Sequence, residues 1–312
     1  MTKSILIIDK LHTCIVPLLE REGYVVDYKP DINRTDILQK ISSYTGIIVR
    51  SKTQLDKEFF EAAKSLKFIG RAGAGLDLID LDLLKEKGIK IVNAPEGNRD
   101  ALAEHCMGML LCLMNKMHTA DRDIRDGKWE RETNRGYEIM GKTIGLIGYG
   151  YMGQAFAKRL SSFGCRVLAY DKYKANYGDQ YASESSLVQL FEETDILSLH
   201  IPLTAETNGM LNLDFFNNFE KNIYLVNTAR GEVLPLHDLK LVLESGKVLG
   251  AALDVLEYEK KSQLTIEQKQ TINHLKLQKN TLFTPHVGGW TYESYEKISM
   301  ALYGKIKGIS PL

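Results

Sequence analysis

Hydrophobic and polar positions along this chain switch repeatedly between two rhythms. Short runs rich in Ile, Leu and Val alternate with longer stretches whose apolar residues return every three or four positions. These are the signatures of buried strands and amphipathic helices. Up to residue 97, the runs at 5–8, 25–28, 47–49, 68–69 and 91–92 read as strands, and 15–21, 34–41, 55–63 and 81–87 read as helices. Strands alternating with helices predict a mostly parallel sheet. From Asn98 the rhythm changes, and residues 101–126 read as one long apolar helix with Asp100 as its N-cap. His105 and Asn115 interrupt it, which excludes a membrane span and leaves a domain connector or a dimer contact. Beyond it, apolar runs at 143–147, 166–170, 196–199, 223–227, 250–253 and 282–283 predict a second parallel sheet. Residues 260–280 form a polar, helix-prone insertion, and residues 292–306 a last helix expected to return to the first domain.

The run at 143–147 leads directly into Gly148, Gly150 and Gly153, then a helix over 151–162, a strand over 166–170 and Asp171. Strand, G-x-G-x-x-G, helix, strand and terminal acid together make a dinucleotide-binding βαβ unit. Gly148 permits the tight turn, Gly150 lets a pyrophosphate approach the backbone, and Gly153 lets helix pack on strand. The helix N-terminus, with Tyr151 and Met152 in its first turn, offers free N–H groups to the phosphates. Asp171 stands 23 residues after Gly148, close to the roughly 20 expected of a carboxylate that accepts from the ribose hydroxyls. That carboxylate would repel a 2′-phosphate and no arginine follows it, so NAD is expected over NADP. Lys172 and Lys174 are the cations nearby.

Composition narrows the setting. At 312 residues the chain has room for two domains, on a prior of roughly 150 residues each. A formal net charge of zero without a long basic run argues against nucleic acid or an anionic membrane as partner. Cys14, Cys106, Cys112 and Cys165 lack C-x-x-C pairing and read as reduced thiols. With no signal-peptide pattern at the N-terminus, the cytoplasm is the expected location, and no metal site is expected.

In an open parallel sheet, ligands sit at the carboxyl ends of strands. The predicted ends carry Asn227-Thr228-Ala229-Arg230-Gly231, Asp254 with Glu259, and Pro285-His286-Val287-Gly288-Gly289. A guanidinium fork suits a carboxylate substrate through two parallel charge-assisted hydrogen bonds. A histidine titrating near neutrality can give a proton to a ketone oxygen as hydride reaches the carbon, and a nearby glutamate stabilises its imidazolium. Arg230, His286 and Glu259 thus form an apparatus for reversible 2-hydroxy acid oxidation. His200 reads as support for the turn at Pro202, Glu104 and His105 as helix-start or interdomain hydrogen-bonding groups, and Tyr149 and Tyr151 as cover for the cofactor.

The chain resembles the D-isomer-specific 2-hydroxyacid dehydrogenases, the family of D-3-phosphoglycerate, glycerate and D-lactate dehydrogenases. The resemblance runs over nearly the whole chain. It is carried by Arg50-Ser51, Arg71-Ala72-Gly73-Ala74-Gly75-Leu76-Asp77, Asn93-Ala94-Pro95-Glu96-Gly97-Asn98 and Ala103-Glu104-His105. The glycine fingerprint, His200-Ile201-Pro202-Leu203-Thr204, Val226-Asn227-Thr228-Ala229-Arg230-Gly231, Asp254-Val255 and Thr284-Pro285-His286-Val287-Gly288-Gly289 continue it. It implies an α/β fold of two Rossmann-like, doubly wound parallel-sheet domains. The substrate domain is then discontinuous (1–97 and 288–312) and residues 98–287 bind NAD. It further implies that Arg230 binds the substrate carboxylate, His286 is the acid/base and Glu259 its partner, with Glu257 two residues away. Asp254 would bind the nicotinamide carboxamide, Ile201, Pro202, Thr228, Ala229 and Gly288 would be further cofactor contacts, and the loop Gly73, Ala74, Gly75 would present N–H groups to the substrate.

Arg50, Ser51 and Lys52 resemble the segment that often supplies cations for a substrate phosphate in phosphoglycerate dehydrogenases, and Arg131 and Arg135 could assist across a dimer. The leading substrate is therefore 3-phosphoglycerate, ahead of glycerate, glyoxylate or hydroxypyruvate, and then D-lactate. A homodimer through the 101–126 region is expected. The chain resembles the short form, without an appended regulatory domain. The competing class is an NAD(H)-responsive binding protein like the family's co-repressors, disfavoured by the catalytic trio.

Overall fold

The structure, a computed structural model, describes residues 3–309. The chain divides into two compact units, the first running to Arg99 and resuming at Trp290, the second spanning Asp100–Gly289. In the first, strands β1 (Ser4–Ile7), β2 (Val25–Tyr28), β3 (Gly46–Val49), β4 (Phe68–Arg71) and β5 (Lys90–Asn93) form one parallel sheet in the order β2-β1-β3-β4-β5. Helices α1 (Ile15–Arg21), α2 (Arg34–Lys40), α3 (Lys57–Ala62) and α4 (Leu81–Glu86) make the crossovers. Asn33, Asp56 and Asp80 start the last three by accepting a backbone N–H at the third helical position. One face of the sheet buries Leu6, Ile47 and Ile69 against Ile37, Phe59 and Leu84. The other buries Ile5, Ile48 and Phe68 with Ile298, Leu302 and Ile306 of the last helix, Tyr292–Ile309.

The expected single helix over 101–126 is two helices, α5 (Pro95–Met114) and α6 (Met117–Arg125). Asp100 is not the N-cap but lies inside α5, paired with Arg159 at 3.1 Å. The helix begins instead at Pro95, whose fixed φ and missing N–H suit a first turn. It ends because the N–H of Tyr137 takes the Met114 carbonyl at 2.9 Å, while Lys116 turns left-handed at φ 54. No glycine or proline at 115–116 announces that break.

The second unit holds β6 (Thr143–Ile147), β7 (Arg166–Tyr170), β8 (Ser183–Glu184), β9 (Ile196–Leu199), β10 (Ile223–Asn227), β11 (Val248–Leu253) and β12 (Thr281–Phe283). They form a seven-stranded parallel sheet in the order β12-β11-β10-β9-β6-β7-β8. Helices cover both faces, so the strands are continuous apolar runs. Leu110, Leu113, Phe156 and Leu160 pack on one face, and Leu190, Phe216, Leu239 and Leu275 on the other. The 260–280 insertion contains a helix, Ile266–Leu277, started by a reciprocal capping box between Thr265 and Gln268. From β6 the chain winds one way to β7 and β8, then returns to β9 on the opposite side. That reversal opens a crevice at the carboxyl ends of β6 and β9. Among the described residues, no helix is long and apolar enough to cross a membrane.

Candidate functional site

The glycine turn occupies that crevice. Gly148 has φ +94, and a Cβ there would lie 2.5 Å from the His200 carbonyl oxygen. A Cβ on Gly153 would collide with the Gly148 carbonyl, so helix α7 (Tyr151–Leu160) can lie this close to β6 only with glycine there. A Cβ on Gly150, by contrast, would project into open space, and no side chain caps α7. Tyr151 and Met152 therefore begin a helix whose first N–H groups have no side-chain acceptor. The cradle fits a pyrophosphate. Tyr151 is half exposed, but Tyr149 is fully buried, its hydroxyl donating to Asp179 at 2.8 Å. It packs beneath the turn and does not cover a ligand.

Asp171 ends β7 beside this turn. Its carboxylate accepts the Tyr149 N–H at 3.0 Å and the Tyr173 N–H at 3.1 Å. Both neighbouring lysines are engaged: Lys174 donates to the Tyr149 carbonyl at 2.6 Å, and Lys172 pairs with Glu206 at 2.7 Å. On the far side, Ile201 and Pro202 follow β9 through His200, a partly buried residue whose ring is hydrogen-bonded to Ser198 at 3.0 Å. Burial pushes the His200 pKa down to about 4, so the ring stays neutral at physiological pH.

The adjoining strands β10, β11 and β12 run parallel, so their carboxyl ends form one continuous lip. After β10, the buried Asn227 side chain folds the loop by donating to the Arg230 carbonyl at 3.1 Å and accepting the Ala229 N–H at 3.0 Å. The Arg230 guanidinium donates to the Ala229 carbonyl at 2.6 Å. A Cβ on Gly231 would strike Leu256, so this loop lies directly on the one after β11. Thr228 meets the buried Cys106 thiol at 3.0 Å.

After β11, Asp254 is 2% exposed, with hydrogen-bond partners on both carboxylate oxygens. It accepts from the Thr284 hydroxyl at 2.6 Å, the Val287 N–H at 2.9 Å and the Gly288 N–H at 2.8 Å, with His105 Nε2 at 3.4 Å. Burial alone would raise its pKa, but the hydrogen bonds from His105, Thr284, Val287 and Gly288 outweigh it and bring the pKa down to about 2. His105 also meets Thr284 at 3.0 Å, so it is a supporting partner of Asp254 within the second unit.

After β12, His286 adopts φ +55, and its Nδ1 lies 2.7 Å from Glu259 Oε1. The ring side chain is 48% exposed and Glu259 only 20%. Burial pushes the Glu259 carboxyl up, but the hydrogen bond and charge of His286 prevail and hold it below its ordinary range. Glu257 does not compete for the ring. Its carboxylate accepts the Leu236 N–H at 2.9 Å, at the start of the helix Leu236–Glu244. Arg230, Glu259 and His286 thus follow three neighbouring strands, with Asp254 and Gly288 joined beside them.

In the first unit, Asp9 stands just past β1, and its carboxylate accepts the N–H groups of Arg50 at 2.7 Å and Ser51 at 3.4 Å. The Arg50 guanidinium lies 3.4 Å above the Trp290 ring. Lys52 points elsewhere, donating to the carbonyls of Pro30 and Ile32. Gly73, at φ +142, opens the loop after β4, and the Ala74 carbonyl accepts from Asn93 at 2.7 Å, fixing the stretch that leads to Gly75. Asp9, Trp290, Asn227 and Thr284 were not singled out as separate functional residues by the sequence. Thr284 stood in the Thr284-Pro285-His286 motif, but its bond to Asp254 spans 30 positions.

A family model described as D-isomer specific 2-hydroxyacid dehydrogenase, NAD binding domain, matches residues 107–288. Hydroxypyruvate reductase of Thermotoga maritima is 37% identical over 275 residues, which are 88% of this chain and 88% of that protein. D-3-phosphoglycerate dehydrogenase of Archaeoglobus fulgidus is 34% identical over 301 residues, 96% of this chain but 56% of that one. This chain thus spans little more than half the length of several relatives that it matches. The crystal structure of a glyoxylate reductase from Paecilomyes thermophila superposes with a TM-score of 0.87 at 25% identity, over 98% of this chain and 95% of that one. With a family model covering more than half of its length and relatives above 30% identity along nearly all of it, the chain belongs to the D-isomer-specific 2-hydroxyacid dehydrogenase family, with NAD as its cofactor.

Proposed function

We propose that the protein is an NAD-dependent dehydrogenase acting at C2 of a small D-2-hydroxy acid, with 3-phosphoglycerate as substrate and 3-phosphohydroxypyruvate as product. The reading is carried by the 2.7 Å pair of His286 and Glu259 on the lip that also bears Arg230. With its pyrophosphate at the glycine turn, bound NAD would supply the hydride acceptor in oxidation and, in its reduced form, the donor in reduction. Arg230 grips the substrate carboxylate with its fork. His286 takes the proton from the C2 hydroxyl in oxidation and returns it to the keto oxygen in reduction, while Glu259 stabilises the imidazolium and fixes the ring. Asp254, kept ionised, accepts from the carboxamide of the nicotinamide and so orients the ring. Ile201, Pro202, Thr228, Ala229 and Gly288 line the cofactor. The loop Gly73, Ala74, Gly75 and the segment Arg50, Ser51, Lys52 serve the substrate.

For the phosphate, Arg50 is better supported than Lys52, whose ammonium is already held by two carbonyls. Relatives named hydroxypyruvate reductase and glyoxylate reductase make hydroxypyruvate and glyoxylate the alternative substrates. The four free cysteines suit a reducing, cytoplasmic setting. A homodimer contact is assigned to the 101–126 region, where Met117 and Ile124 of α6 are each 53% exposed.

The test is NADH oxidation with 3-phosphohydroxypyruvate, hydroxypyruvate, glyoxylate and pyruvate. The phosphorylated acid should be preferred. Arg230→Ala should lower kcat/KM about a hundredfold or more, the cost of truncating one member of a buried charge pair. Arg50→Ala, and not Lys52→Ala, should abolish the phosphate preference. Unimpaired turnover by Arg230→Ala removes the carboxylate grip, and equal use of phosphorylated and unphosphorylated acids removes 3-phosphoglycerate.

A further inference from the structure

The order β9-β6-β7 places the glycine turn after β6 between two loops, one leaving β7 and one leaving β9. Those loops are clasped together. Glu206, seven residues past β9, accepts from Lys172 Nζ and from the Tyr173 hydroxyl with the same oxygen, each at 2.7 Å. Tyr173 also donates its backbone N–H to Asp171 at 3.1 Å. The two carboxylates, Asp171 and Glu206, are therefore tied to one short segment, residues 171–173. Lys172 is held to Glu206, and the next cation, Lys174, is held to the Tyr149 carbonyl.

We infer that Glu206 is a specificity-determining residue for the dinucleotide, favouring NAD over NADP by holding Lys172 away from the ribose 2′ position. The inference rests on the placement of the ribose at Asp171. With Glu206 present, a 2′-phosphate meets two carboxylates while both nearby lysines are engaged. Without it, one negative charge disappears and one ammonium is released onto the segment that carries Asp171. Both changes favour the phosphate. Lys172 and Glu206 are each 55% exposed, so solvent screening keeps the effect moderate.

The experiment is fluorescence titration of NADH and NADPH binding, without substrate, for the unaltered protein, Glu206→Gln, Glu206→Lys, Asp171→Ala and the double variant Glu206→Gln/Lys172→Ala. The ratio of the NADPH to the NADH Kd should fall about two- to fivefold in Glu206→Gln, the size of one exposed charge interaction. It should fall about tenfold in Glu206→Lys, and both falls should shrink at high salt. Removing Lys172 as well should cancel most of the gain of Glu206→Gln. A loop-ordering role alone would move both Kd values together and leave the ratio fixed, which overturns the inference. A ratio that responds to Asp171→Ala but to neither Glu206 variant also overturns it while leaving the ribose placement intact. A ratio indifferent to Asp171→Ala overturns that placement, and the inference with it.

Discussion

The two sheets are wound alike and finished differently. Each starts at an inner strand, builds outward to one side and returns to the other, with switch points between β1 and β3 in the first unit and between β6 and β9 in the second. In the second, the central strand runs into Gly148, Gly150 and an uncapped helix, so backbone N–H groups face an open cradle. In the first, Asp9 stands at the equivalent lip and its carboxylate takes the N–H groups of Arg50 and Ser51. Winding produces a crevice in both. The residue at the lip decides whether an outside anion or the chain's own acid fills it. What the first unit presents there is a side-chain cation, Arg50 laid over Trp290.

The contrast breaks most sharply at Gly148. Gly148→Val would force a β-branched residue to φ +94 against the His200 carbonyl. NADH affinity should drop on the order of a hundredfold or more, given about 1–3 kcal/mol of backbone strain plus the clash. Near-normal affinity in a fluorescence titration would mean that the turn is not the cradle. A smaller effect concerns Asp254. Its folded pKa of about 2 lies below the ordinary 3.8, so the stability it adds is complete above pH 4 and disappears as pH falls toward 2. The shift corresponds to roughly 2 kcal/mol. Urea denaturation of Asp254→Asn and the unaltered protein should show a gap that is widest at neutral pH and narrows through that window. A gap independent of pH would refute the linkage. The smallest change is expected from Asp9→Ala, which strands two N–H groups and should cost about 1 kcal/mol in the same assay. NADH affinity should be unaltered, and a large loss would erase the distinction between the two lips.

The parts of this molecule legible in the sequence are those in which neighbours along the chain are also neighbours in space. The fingerprint at Gly148, Gly150 and Gly153 and the alternating rhythm behind both parallel sheets are of that kind. The choice of Glu259 over Glu257 was weaker, because both carboxylates lie in one loop and only the fold shows which faces His286. The break after Met114 was invisible: its cause is a carbonyl taken by Tyr137, more than twenty positions downstream. The same holds for Asp9 beneath Arg50 and for Glu206 on Lys172, pairings of ordinary surface-type residues that no local pattern marks. Tyr149 misled in the opposite sense, since a residue inside a ligand-binding motif turned out to belong to the core.

His286 carries its imidazole on a left-handed backbone at φ +55, a conformation in which glycine would rest more easily by on the order of 1 kcal/mol. On the proposed role of His286 as acid/base, heat resistance and turnover therefore pull in opposite directions at this one position. A laboratory selection for survival at high temperature, run without an activity screen, would be free to discard the very ring to which that role is assigned.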